Sequence, residues 1–197
     1  MAETVNNTAP EVEKQVVLHQ RGADNIKADQ VEITQGGANH IQANTVDMRQ
    51  AGAQQIKAND VQIRQGGVVT LDSQSVNLTQ GGVVFGKTNQ LEMNTSRAGL
   101  LISNNETKID QSSVQALITK GDANLQQSGV VLLAANQVKV EPNTNVVFLL
   151  ARKTEGDVKV QFGPRDSVLF GIVAGLVTGT VILTGKLLGF PKRMKVK

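Results

Sequence analysis

Few side chains in this 197-residue chain are suited to covalent or metal chemistry. Cysteine is absent, which excludes disulfide frameworks, thiolate-ligated metals and thiol nucleophiles. Two histidines, His19 and His40, are too few for a histidine-rich metal site. Neither a phosphate-binding glycine loop, nor a dinucleotide fingerprint, nor a serine-nucleophile elbow occurs. The acidic residues Glu32, Asp47 and Asp60 are scattered, and no pair recurs with a partner. Basic residues do recur (Lys27, Lys57, Arg49, Arg64), but five Phe with no Trp or Tyr leave nothing to stack bases on, so a solvated face is expected and nucleic acid is not an expected partner. Ice binding needs flat threonine arrays, and Thr34 and Thr79 stand isolated. The expectation is a protein that is not an enzyme, with no catalytic residues, no cofactor, no metal and no small-molecule substrate.

What the chain has in quantity is amide: 15 Asn and 19 Gln. Five of the glutamines, Gln20, Gln35, Gln50, Gln65 and Gln80, lie fifteen residues apart. Identical amides stacked at the strand spacing of about 4.8 Å hydrogen-bond to one another, forming a ladder. An elongated element must then present the same position once per turn.

The sequence contains that element. Frames of fifteen begin at Gln15, Gln30, Thr45, Asp60, Ser75 and Gln90, and the pattern returns around Ile109, Leu125 and Val140 after single-residue insertions. About nine copies fill residues 15–150. Within a copy, Val31 and Ile33, or Val46 and Met48, stand two apart with polar neighbours, the pattern of a strand with one buried face. Ile41 and Ala43, or Ile56 and Ala58, repeat the pattern nearer the other end, so two short strands per copy are expected. The glycine pairs Gly36–Gly37, Gly66–Gly67 and Gly81–Gly82 predict one corner, with positive φ on glycine. Asp29, Asn44, Asn59, Asn89 and Asn104 predict the other, in left-handed conformations. An antiparallel meander also accommodates two strands per copy. Hairpins, however, do not require one residue type at one position in every copy, whereas stacked coils favour it. The fold class expected is therefore all-β: a β-solenoid of about nine 15-residue coils, about 43 Å long, followed by a C-terminal transmembrane α-helix.

That last element rests on the segment 167–190. Ser167 to Gly185 are nineteen residues without a charge, enough to cross a hydrocarbon core of about 30 Å as a helix. A 15-residue coil exposes too little apolar surface to bury a helix that is apolar all round. Gly171, Gly175 and Gly179 recur every four residues and would let two such helices approach closely, so a homo-oligomer or larger structural assembly is expected. Lys186, Lys192, Arg193, Lys195 and Lys197 suit contact with anionic headgroups of a lipid bilayer. The organisation expected is a polar N-terminal segment at 1–14, repeats at 15–150, a capping or juxtamembrane segment at 151–166, the span at 167–190 and a basic tail at 191–197. The tail argues for a cytoplasmic C-terminus. The absence of an apolar signal core in the first residues argues for a solenoid that stays where it is made, in the cytoplasm or a virion interior.

IKADQVEI (residues 26–33) and IKANDVQI (residues 56–63) resemble the I-x-A-x-x-V-x-I rungs of bactofilins, which are polymerising β-helical scaffolds. TQGGANHIQAN is similar to curli-subunit repeats. These resemblances cover about two thirds of the chain and imply the fold class, with no functional residue carried over. The function expected is a membrane-anchored scaffold presenting a rigid rod. The alternative is an outward-facing adhesin or a membrane-associated virion component.

Overall fold

The computed structural model describes residues 13–156 and 159–162. They form one continuous parallel β-solenoid of about ten turns. Four of the first five strands hold thirteen residues each: β2 (Gly22–Thr34), β3 (Gly37–Arg49), β4 (Gly52–Arg64) and β5 (Gly67–Thr79), preceded by β1 (Glu13–His19). Shorter strands follow: β6 (Gly82–Thr88), β7 (Gln90–Asn94), β8 (Arg97–Ser103), β9 (Thr107–Asp110), β10 (Ser113–Thr119) and β11 (Asp122–Gln126). Long runs return in β12 (Gly129–Val140) and β13 (Asn145–Glu155), and β14 (Lys159–Phe162) is the last strand among the described residues. Every strand pairing among the described residues is parallel, which excludes the meander.

Each coil has three sides rather than the two strands expected. In β4, Ala53, Ile56, Ala58, Val61 and Ile63 are buried, and Ala51 before the strand is buried with them. The inward residues come in pairs: Ala51 and Ala53 on the first side, Ile56 and Ala58 on the second, Val61 and Ile63 on the third. Two outward residues separate successive pairs, Gln54–Gln55 at the first corner and Asn59–Asp60 at the second. Two successive outward residues in a chain that otherwise alternates mean that the backbone has turned. The ladder to the next coil continues through these bends, so a single strand wraps two corners. Ile33, Met48, Ile63 and Leu78 stack in register and are fully buried, forming one apolar column.

The third corner is sharper, and the residue in the left-handed region there is not glycine. Positive φ falls on Gln20, Gln35, Gln50, Gln65, Gln80, Thr95, Gln111, Gln127 and Asn143, at 46° to 66°. The glycine that follows serves a close approach instead: a Cβ on Gly66 would collide with the carbonyl oxygen of Ala51 in the coil before it. Asp29, Asn44, Asn59, Asn89 and Asn104 turn their corner without positive φ.

Beyond Ser103 the repeat lengthens. Thr107 pairs with Leu91, and Ser96 meets Ser112 across sixteen residues instead of fifteen. The extra residue lies at the second corner, between Ser103 and Thr107, which is why the strand breaks into β8 and β9 there. No helix of the described residues is long and apolar enough to cross a membrane. The segment 167–190, with Gly171, Gly175 and Gly179, lies outside the described residues, as do Lys186 and the tail.

Candidate assembly surfaces

The third corner carries the glutamine ladder. Nε2 of Gln20 donates to Oε1 of Gln35 at 3.0 Å, Gln35 to Gln50 at 3.0 Å, Gln50 to Gln65 at 3.2 Å and Gln65 to Gln80 at 3.1 Å. Thr95 interrupts the amides, and the ladder resumes from Gln111 to Gln127 at 3.2 Å. The backbone places these side chains. From Gln20 to Gln111 each corner residue donates its N–H to a carbonyl of the next coil, as from Gln50 to Arg64 at 2.9 Å, and this holds the side chains in register. A second amide ladder runs along the second corner, where Asn44 donates to Asp29 at 3.0 Å, Asn59 to Asn44 at 3.2 Å and Gln74 to Asn59 at 3.2 Å.

Both amide ladders are exposed, so they guide register more than they stabilise. A typical intramolecular hydrogen bond contributes about 0.5–1.5 kcal/mol net. Gln50→Leu removes two such bonds and leaves a γ-branched side chain at φ 50°. The expected loss is about 1 kcal/mol in urea unfolding. Arg49→Leu should stay within about 0.5 kcal/mol, because its ion pair with Asp47 at 3.2 Å is exposed and Arg64 also stands 3.9 Å from Asp47. Equal midpoints for the two variants would contradict a stabilising ladder.

Inside the C-terminal coils runs a hydroxyl ladder that the fifteen-residue frame did not reveal. Oγ of Ser96 accepts the Gly81 N–H at 3.1 Å, Ser112 accepts the Ser96 N–H at 3.0 Å and Ser128 accepts the Ser112 N–H at 3.2 Å. Each hydroxyl also donates to a carbonyl two residues earlier, as Ser112 does to Asp110 at 2.6 Å. All three serines are buried. They occupy the inward position that Gly36, Ala51, Gly66 and Gly81 hold in earlier coils. The only sequence signal is the sixteen-residue spacing of Ser96, Ser112 and Ser128.

The outer sides differ in character. Along the first side, Gly22, Gly37, Gly52 and Gly67 form a bare column beside Asp24, Asn39 and Gln54, a shallow open groove of about 560 Å³. On the third side the acidic Glu32, Asp47 and Glu92 sit among Arg49 and Arg64. Asp47 holds the Arg49 guanidinium above its usual pKa, first by hydrogen bonding and then by charge. In the last coil, Lys153 and Glu155 pair at 2.6 Å, and that hydrogen bond raises the lysine pKa and lowers the carboxylate pKa. His19 and His40 are exposed and lie on different sides of the coil. Among the described residues no group of His, Asp and Glu is arranged to hold a metal ion. What these surfaces can do is present fixed chemistry at a 4.8 Å repeat along a rigid edge. Comparisons with protein families, with curated proteins and with solved structures find no match for this chain.

Proposed function

We propose that the chain is a non-enzymatic structural protein that holds a rigid β-solenoid rod at a lipid bilayer through its C-terminal segment, and that copies of it associate into a larger assembly. The observation that carries this reading is the parallel stack of about ten turns, continuous from Glu13 to Phe162, which leads into nineteen uncharged residues. Stacks of this kind are stiff, because each coil is hydrogen-bonded along its length to its neighbours. In the rungs at 26–33 and 56–63 the Ile, Ala, Val and Ile are the inward residues of the second and third sides, so successive coils share one continuous core. Lys186, Lys192, Arg193, Lys195 and Lys197 supply cations at the far end of the apolar segment.

A chain ending at Arg165 tests the anchor. The full chain should float with liposomes and resist alkaline extraction, while the shortened chain stays in the aqueous fraction and keeps its β-sheet circular dichroism. Flotation of the shortened chain would overturn the anchor. In the full chain, Gly175→Ile should weaken self-association in detergent, since a branched side chain would hold two helices apart. If the shortened chain forms the same cross-linked oligomer as the full one, the glycine face is not the interface. Protease attack on the rod from outside intact cells or particles would identify the outward-facing recognition element instead.

A further inference from the structure

The outer surface of the second side changes character along the rod. In the first coils it is polar and basic: Lys27, Gln42 and Lys57 stack in one column, and Asn25, His40 and Gln55 in the next. From the sixth coil onward the same two columns become apolar. Phe85, Leu100, Ala116, Leu132 and Phe148 follow one another in register. In the adjacent column Lys87 is succeeded by Ile102, Ile118, Ala134 and Leu150. Exposure is substantial: 37% for Phe85, 41% for Ile118, 43% for Leu132 and 68% for Leu150. Val84 and Val131 extend the patch around the first corner, at 61% and 49%. From Phe85 to Phe148 is four register steps, about 19 Å of continuous apolar surface. An exposed apolar patch of this continuity marks an interaction surface.

We infer that this side of the solenoid lies against an anionic lipid surface, so that the rod rests on the bilayer with its apolar half immersed in the interface. The inference builds on the anchored reading above. Three observations select lipid as the occupant. First, the apolar half is the half next to the C-terminal segment. β14 pairs Phe162 with Phe148 of the patch, and only four residues separate Phe162 from Ser167. The five Cα–Cα steps from Phe162 to Ser167 reach at most about 18 Å, so an anchor starting at Ser167 keeps the patch at the membrane. Second, the patch continues into cations on the same side (Lys27, Lys57 and Lys87, against a single acid, Asp72), and Lys120 and Arg152 stand at its second-corner edge. Exposed aliphatic and aromatic side chains bordered by lysine and arginine are what an interfacial membrane contact requires. The acids Glu32, Asp47 and Glu92 lie on the third side, turned away, and Asp29, Asp60, Glu106 and Asp122 stand at the second corner. Third, a second copy fits less well. In two upright rods that run parallel, a twofold pairing through this side would set Lys27, Lys57 and Lys87 against their own counterparts.

The test uses the full chain, which has no cysteine, so one introduced thiol is the only label site. An environment-sensitive fluorophore is placed at Ile118→Cys, at Leu132→Cys or, on the third side, at Gln62→Cys. Each protein is reconstituted into phosphatidylcholine vesicles with and without phosphatidylserine. Shallow spin-labelled lipid should quench the labels at 118 and 132 several-fold more than the label at 62. Removing phosphatidylserine, or combining Lys57→Gln with Lys87→Gln, should reduce that difference. Equal quenching at all three sites, in protein that still resists alkaline extraction, would overturn the lipid contact and leave the anchor standing. Protein that alkali extracts would remove the anchor and this proposal with it. Disulfide cross-linking that is much faster at 118 than at 62, without lipid quenching, would overturn the proposal in favour of a second copy.

Discussion

Ile63→Ala is expected to lower the unfolding free energy by about 2–5 kcal/mol, and Gln62→Ala to change it by no more than about 0.5 kcal/mol. Ile63 is fully buried on the third side, stacked between Met48 and Leu78. Its removal leaves a cavity that neighbouring coils cannot close without breaking their own ladders. Gln62 is the residue just before Ile63 in the strand and points outward, accepting from Arg64 at 2.9 Å. The contrast is read from urea midpoints of the two variants. Similar losses would mean that inward and outward positions are assigned to the wrong faces, because a shift of one residue exchanges them all. In a stack whose coils touch only their neighbours, the damage should also be local, so hydrogen exchange should rise first in the coils around residue 63.

The second large effect concerns two adjacent serines. Ser112→Ala is expected to cost about 1–3 kcal/mol, because it leaves the Ser96 N–H and the Asp110 carbonyl inside the coil without the hydroxyl that joins them. Ser113→Ala, one residue on and exposed, should be nearly neutral. Ser112→Gly should cost no less than Ser112→Ala, although earlier coils carry glycine at this position. A loss for Ser112→Ala no larger than for Ser113→Ala would show that the buried hydroxyl column is not a stabilising element.

These contrasts show how much of the molecule was legible in advance. The stacking direction, the core columns and the register of Gln20 to Gln80 follow from the period alone, since a position that repeats must face the same surroundings in each coil. The first side was missed because its inward residues, Ala38, Ala53 and Val68, are small and vary, so they carry little periodic signal. Glycine was the expected owner of positive φ because it adopts that region without steric penalty. In the structure the left-handed residue is the glutamine, held there by its backbone bond to the next coil, and glycine is needed one residue later for backbone approach. The serine column escaped notice because its spacing is sixteen. The apolar outer face carries no signal in the period: Phe85, Leu100 and Leu132 break the polar alternation, and a sequence does not show that such breaks fall in register on one side. The segment 167–190 rests on its composition, outside the described residues.

The central claim is that one repeat equals one rung of a straight, stiff rod, and inter-spin distances in the membrane-reconstituted full chain test it directly. Glu32, Asp47, Gln62, Asn77 and Glu92 lie in one outward column that continues through Lys108 and Asn124 to Lys139. Labels at 32 and 92 are four rungs apart and labels at 32 and 139 are seven, so mean separations of about 19 Å and about 34 Å are expected, with narrow distributions. Two similar separations, or a broad distribution for the longer pair, would contradict the rod and with it the scaffold built on it.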